Sequence, residues 1–314
     1  MLTFIGRLLS VTAWDEPDLS GIRRWACLLG ICGALGGCSS PRPTTTGRSE
    51  TAEKLSEQAR QARDRGDSRS AEYLLTAAVD RNPADCETRL ELSELLLAHG
   101  SCETAIAHLK RLISQNPDDP RGYVGLAEAL YLQRDLDDAE YCLDRALDLE
   151  PRQTRGLILR GRIDEARGRK ARALEDYYRV LGFEPDNGEA KLLIAELHLQ
   201  QGDGPLAAPL LRSIVESGDP AAGRRDRAQW LLGQCYRAEG RWNDAARAFA
   251  AGISGRGESA SDWYDLADAC WRAGDLRGAD LALTRSLQLS PTWAPALALR
   301  AVLDARVRET TSRI

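Results

Sequence analysis

The chain has 314 residues, 43% hydrophobic and 28% charged but only 6% aromatic, which is enough apolar material for a sizeable core yet thin in large rings. That balance favours a many-helix architecture built on Ala and Leu over a β-sandwich. With 42 Lys plus Arg against 47 Asp plus Glu, the net charge of −5 leaves no basic excess to neutralise phosphates, which argues against a nucleic-acid partner.

The first segment reads as an address. Arg23 and Arg24 precede an apolar run from Trp25 to Gly37 that ends directly before Cys38, the layout of a secretory signal. Thirteen helical residues rise only about 20 Å, short of the roughly 30 Å hydrocarbon core of a bilayer. Leu35-Gly36-Gly37-Cys38 resembles a bacterial lipobox. The resemblance implies cleavage before Cys38, lipidation of Cys38 and, with Ser39 next to it, delivery to the outer membrane facing the periplasm. Two or three acyl chains on one residue anchor essentially permanently. Residues 1–37 are therefore expected to be a signal peptide and residues 38–51 a lipidated cysteine with a solvated, Pro/Ser/Thr-rich tether. Asp15, Glu16 and Asp18 lie upstream of the arginines, where signal peptides rarely carry acids. A start assigned too early explains them; the alternatives are an uncleaved anchor, or a cytosolic scaffold with a misread N-terminus.

From residue 52 a pattern of Leu/Ala, Gly, Ala, a large apolar residue and Pro recurs every 34 residues. Pro83, Pro117, Pro151 and Pro185 keep that spacing, as do Ala71, Ala105, Ala139, Ala173 and Ala207. Gly66, Gly100, Gly168 and Gly202 share one phase, with Arg134 in place of the third Gly. The pattern resembles the tetratricopeptide repeat (TPR), best in the third, sixth and seventh copies; Leu232, Gly233, Tyr236, Gly240, Ala245 and Phe249 stand at signature positions in the sixth, and Leu266, Ala267, Gly274, Ala279, Leu283 and Pro291 in the seventh. The copies fall at 52–85, 86–119, 120–153, 154–187, 188–221, 226–259 and 260–293. The resemblance implies an all-α, right-handed α-solenoid of about seven helix-turn-helix repeats. In each copy Gly near position 15 ends the first helix and Pro near position 32 stops the second. Neither helix buries its apolar face alone, so stability comes from stacking.

Two irregularities mark expected bends: Pro209 inside the second helix of the fifth copy, where a helix-interior Pro costs roughly 3 kcal/mol, and the insertion within residues 216–226. GISGRGESAS, residues 252–261, reads as a helix-ending loop, since neither a preceding strand nor a following Gly-Lys-Ser/Thr supports a phosphate cradle. Residues 294–314 are expected to form a capping helix and tail, with Leu297, Leu299 and Val302 docked inward and Arg300, Arg306 and Arg308 facing water.

Family resemblance places positions 2, 5, 9 and 12 of each copy on the inner groove. Positions 5 and 12 supply Leu90, Leu97, Val124, Tyr131, Ile158, Leu192, Leu199, Trp230, Tyr264 and Trp271 as the candidate partner-binding stripe, a discontinuous apolar surface of the kind that holds peptides. Packing between neighbouring copies is the competing role for the same residues. Positions 2 and 9 carry charges of mixed sign: Glu87, Glu94, Arg121, Glu128, Arg155, Arg162, Glu189 and Glu196. They steer no single class of charged ligand, and read either as an ordinary solvated face or as a way to fix the register of a partner with alternating charges. The Lys/Asn/Arg set that clamps a terminal carboxylate in chaperone-binding TPR domains does not occur at these positions.

No motif for zinc hydrolysis, a serine nucleophile or nucleotide binding occurs, and His99, Cys102 and His108 lack the paired spacing of zinc ligands. Neither a metal, a cofactor, a small-molecule substrate nor catalysis is expected. Asp118-Asp119 and Asp137-Asp138 are placed at helix starts, where acids favour the dipole. Beyond Cys38, Cys86 and Cys102 fall at opposite ends of one repeat, too far apart to pair, and Cys142, Cys235 and Cys270 read as small buried apolar residues. The expected function is a membrane-tethered scaffold or adaptor for a protein or peptide partner in the cell envelope; an envelope enzyme accessory is the alternative from another class.

Overall fold

The computed structural model describes residues 45–217, 221–253 and 259–311, and within them every regular element is an α-helix. The first copy pairs α1 (Thr45–Asp64) with α2 (Ser68–Arg81), the second α3 (Cys86–Ala98) with α4 (Cys102–Gln115), and the third α5 (Pro120–Leu132) with α6 (Leu136–Leu149). The fourth comprises α7 (Thr154–Ala166) and α8 (Lys170–Phe183), and the fifth α9 (Gly188–Gln201) and α10 (Gly204–Glu216). The sixth comprises α11 (Ala222–Ala238) and α12 (Trp242–Ile253), and the seventh α13 (Ala260–Ala273) and α14 (Leu276–Leu289), followed by α15 (Ala294–Thr311). Each helix packs on its predecessor and its successor, the arrangement of an α-solenoid. Successive first helices also touch, α3 with α5, α5 with α7, α9 with α11 and α13 with α15, whereas no two second helices pack to a comparable extent. The first helices therefore crowd together on the inner face.

Local chemistry sets the boundaries. Gly66, Gly100, Gly168, Gly202, Gly240 and Gly274 hold φ between +72° and +85° where the first helix ends, and Arg134 takes φ +67° at the same place. Asp67, Asp85, Asp119, Asp135, Asn187, Ser259 and Asp275 accept a backbone N–H from the first turn that follows them, which supplies a partner to a group the helix itself leaves unpaired. Asp137 and Asp138 stand in the first turn of α6.

Inside each hairpin one contact recurs with matched sizes. Position 8 of the first helix faces position 24 of the second. The pairs are Ala59 with Leu75, Ser93 with Leu109, Ala127 with Leu143, Ala195 with Leu211 and Ala267 with Leu283, all buried. In the fourth and sixth copies the large member is a ring, Tyr177 or Phe249, and the small member is Gly161 or Gly233. A Cβ on Gly161 would lie 2.3 Å from Tyr177, and one on Gly233 would lie 2.5 Å from Phe249. The glycine makes room for the ring.

Four expectations are corrected. α1 starts at Thr45, so residues 45–51 are helix and not tether; Glu50 pairs with Lys54 one turn on. α10 runs through Pro209 without a break; the proline lies in the second turn, where the bond it forfeits is to Pro205 near the helix start. The insertion before the sixth copy is largely absorbed as one more turn at the start of α11, seventeen residues long; four residues are close to one turn, so the apolar face keeps its phase. In α15 the inward residues are Ala296, Leu299 and Leu303, while Leu297 and Val302 are exposed, because the i, i+3, i+7 row faces the array and Leu297 and Val302 lie off it. Arg300 reaches Asp280 and Thr284 on α14 instead of facing water alone. Residues 254–258 of the loop at 252–261 lie outside the described residues, as do Cys38, the signal segment and the first part of the tether.

Candidate functional site

The inner face is built from positions 2, 5, 6, 9 and 12 of the first helices, and its charged residues pair with one another. Arg121 on α5 meets Glu87 on α3 at 2.6 Å. Arg155 on α7 meets Glu128 on α5 and, two copies away, Glu94 on α3, both at 2.5 Å. Arg162 meets Glu189 at 2.6 Å, Arg227 meets Glu196 at 2.8 Å, and Arg237 meets Asp265 at 2.7 Å. Arg60 joins the first two copies through Glu91 at 2.8 Å. The mixed signs at positions 2 and 9, with Glu91 and Asp265 at position 6 and Arg237 at position 12, thus form a ladder that ties the first helices of successive copies together. The sequence holds the signal for this, opposite charges 27 to 34 residues apart, but the reach from Arg155 to Glu94 follows only from the stacking. A carboxylate of the ladder feels the low dielectric: burial pushes Asp265 up from its ordinary range, against the pull of Arg237.

The ten stripe residues divide. Leu90, Leu97, Val124 and Ile158 are buried, Val124 to 1% exposure; these aliphatic chains reach the neighbouring copy, Val124 coming against Gly156 of the next first helix. In the free chain they are packing residues and correct the expectation of a surface there. Ile158 borders a cleft of about 610 Å³ whose rim includes Arg155, Arg162, Glu128 and Glu189. Tyr131 is half-buried beside a second cleft of about 520 Å³, with Glu165, Lys170 and Leu197. Leu192, Leu199, Trp230, Tyr264 and Trp271 are half-buried. Leu192, Leu199 and Trp230 pack on one apolar cluster, and Trp230, Tyr264 and Trp271 on the next, so Trp230 joins the two. Five of the ten thus gather in the last three copies.

Their geometry is fixed by Phe249 and by a further ring, Trp293, that the positions of the inner face do not include. Trp293, from the turn after α14, meets Tyr264 edge-on with centroids 5.1 Å apart. Trp230 stands edge-on to Phe249 at 6.2 Å and carries the Arg227 guanidinium 5.5 Å above its ring. Trp293 escaped because it sits at position 34, outside the helical period that marks the inner face.

Titratable groups elsewhere have structural partners. His99 contacts Glu72 at 2.8 Å, His198 contacts the Tyr178 hydroxyl at 3.0 Å, and burial, then the Arg89 charge, hold His108 below its ordinary value. Among the described residues no three His, Cys, Asp or Glu side chains converge as metal ligands. Cys86 and Cys102 open α3 and α4 and are unpaired; Cys142, Cys235 and Cys270 are buried. Burial pushes the Cys142 and Cys235 thiols up to about 11, the direction that makes a thiol inert. No described helix is long and apolar enough to cross a membrane.

Comparison with known proteins places this arrangement. Family models of the tetratricopeptide repeat match residues 62–121, 96–163 and 155–223. Cellulose synthase operon protein C of Xanthomonas axonopodis pv. citri (strain 306) is 28% identical over 189 residues, which cover 55% of this chain and 12% of that protein. The chain spans between 10% and 21% of the length of the curated relatives it matches. Among solved structures, PilF of Pseudomonas aeruginosa superposes with a TM-score of 0.62 at 15% identity, covering 71% of this chain and 99% of that one. PilW, described as a widely conserved type IV pilus biogenesis factor, superposes with a TM-score of 0.56 at 17% identity, covering 69% of this chain and 98% of that one. At these identities the likeness is one of fold.

Proposed function

From the premise that the chain belongs to the tetratricopeptide repeat family, we propose that it is a lipid-anchored scaffold of the cell envelope that captures a protein or peptide on its inner face and holds it without transforming it. The observation that carries the reading is the half-exposed run Leu192, Leu199, Trp230, Tyr264 and Trp271, on a face whose charges already satisfy each other. Aromatic anchors dominate interface energetics, and three of them stand within two copies. The ladder leaves little unpaired charge for a partner, so contact falls to apolar side chains and backbone groups.

The anchor rests on Cys38 and the apolar run before it, and the outer-membrane, periplasm-facing location on Ser39. Type IV pilus biogenesis, the role attached to PilW, supplies the kind of assembly task such a scaffold serves. Crosslinked pull-down from cells followed by mass spectrometry tests the face: Trp230→Ala and Trp271→Ala are expected to lose a partner that wild type captures, each truncation costing about 2 kcal/mol of binding or more, while helicity and melting stay nearly unchanged. Equal losses of stability would assign these rings to packing. Labelling with a fatty-acid analogue tests the anchor separately, with signal expected in wild type and absent from Cys38→Ser. An unlabelled wild type would point to the cytosolic reading of the same scaffold.

A further inference from the structure

The charge ladder breaks at one level, between the fourth and fifth copies. Where Arg237 stands at position 12, it crosses to position 6 of the next first helix, Asp265, at 2.7 Å. From Glu165, at position 12 of the fourth copy, the same crossing leads to Leu193, which offers no charge. Nor do α7 and α9 pack on each other as α5 does on α7 or α9 on α11. The gap they leave is the cleft of about 520 Å³ that both Glu165 and Leu193 line.

Glu165 enters this cleft with one oxygen taken. The Tyr177 hydroxyl, fixed in the core of the fourth copy, donates to Oε1 at 2.5 Å, while Oε2 accepts no hydrogen bond and stays open to solvent. Its charged neighbours do not neutralise it. Arg162 is held by Glu189 at 2.6 Å, and Lys170, on the rim, stays beyond ion-pair distance. Glu196 on α9 adds a second negative charge nearby and is itself held by Arg227 at 2.8 Å. Burial pushes Glu165 above its ordinary range, against the Tyr177 hydroxyl and these cations.

The rest of the cleft suits a planar cation. Tyr131, half-buried, forms one wall, and Leu193 and Leu197 form another. A guanidinium stacks on a ring while its N–H groups reach a carboxylate, a combination that the point charge of a lysine matches less well. The chain completes that combination twice on the same face. Arg227 lies over Trp230 and pairs with Glu196, and Arg237 lies over Phe249 and pairs with Asp265. Between α7 and α9 the ring and the acid are in place and the arginine is missing.

We propose that this cleft takes an arginine side chain of the captured polypeptide, its guanidinium on Oε2 of Glu165 and against the Tyr131 ring. The proposal rests on the inner face being the capture surface, and it names what that surface selects. Leu192 and Leu199 stand on α9, the helix that walls the cleft, so the arginine lies directly beside the apolar anchors of the partner.

Selection from random peptides displayed on phage, with the full chain in detergent as bait, tests this. Selected peptides should share an arginine next to apolar residues. Exchanging it for citrulline, which keeps the shape and removes the charge, should weaken binding to wild type at least about tenfold in fluorescence anisotropy. The same exchange should cost less than about threefold in Glu165→Gln, which still accepts from Tyr177. Lys170→Met should tighten the arginine peptide, because a competing cation leaves the rim. Peptides without a shared arginine, a citrulline penalty undiminished in Glu165→Gln, or looser binding to Lys170→Met overturn the proposal and leave the capture face standing. A bait that selects no peptide removes the capture reading itself, and this one with it.

Discussion

Arg134 sits where six other copies of the same turn place glycine, and it holds φ +67° with a Cβ that this conformation penalises. For an L-residue the left-handed region costs roughly 1–2 kcal/mol, and a glycine returns part of that through the freedom it adds to the unfolded chain. Arg134→Gly should therefore raise the unfolding free energy by about 1 kcal/mol, read as a higher midpoint in urea, while Arg134→Ala should give no such gain. A lower midpoint for Arg134→Gly would mean that its side chain supplies something the geometry does not display. This position was legible in the sequence, because the 34-residue phase marks the turn whatever residue fills it. Burial was less legible: Val124 and Trp230 share position 5, yet one is sealed and the other half-open, and only the size of the side chain against the neighbouring copy decides between them.

Helix pairing follows volume rules that periodicity alone does not reveal. The Gly161–Tyr177 contact and its five Ala or Ser to Leu counterparts can each be picked out of the sequence once positions 8 and 24 are known to touch, but nothing in the hydrophobic period identifies that pair. Gly161→Ala inserts a methyl group where the Tyr177 ring stands, and Tyr177 cannot swing away because it is fully buried and its hydroxyl donates to Glu165 at 2.5 Å. The variant should lose about 2–3 kcal/mol. Replacing the ring as well, Gly161→Ala with Tyr177→Leu, recreates the pairing found in the third copy and should recover more than half of that loss in urea denaturation. A double variant no better than the single one would show that the ring is not the obstacle. The differences at this scale share a cause: apolar content alone does not give the helical rows of α15, and an insertion expected to bend the array instead completes a helical turn with its four residues.

Across the whole array, stability is a sum over neighbours, and the apolar terms are uneven. One large cluster runs from Ala59 to Ile163 and two others fill the fifth to seventh copies and α15, while the fourth and fifth copies are joined by two small clusters. Inside the fourth copy, between α7 and α8, charged groups are buried. Asp176, 4% exposed, accepts two 2.7 Å hydrogen bonds from Arg160. Removing one partner of such a pair strands the other and costs about 3–5 kcal/mol, far more than an exposed rung such as Arg162–Glu189 at about 0.2–1 kcal/mol. In an array coupled only through adjacent copies, a loss of that size in the middle uncouples the two ends. The sequence supplies the means of seeing it: every tryptophan of the described residues lies between Trp230 and Trp293. With Trp14 and Trp25 replaced by Phe, tryptophan fluorescence reports the C-terminal block while circular dichroism reports all the helices. In wild type the two urea curves should coincide. In Asp176→Ala the dichroism should fall in two steps, with fluorescence following only one of them. Coincident curves in the variant, shifted together, would show that the array folds as one unit and that the buried ion pair does not link two blocks.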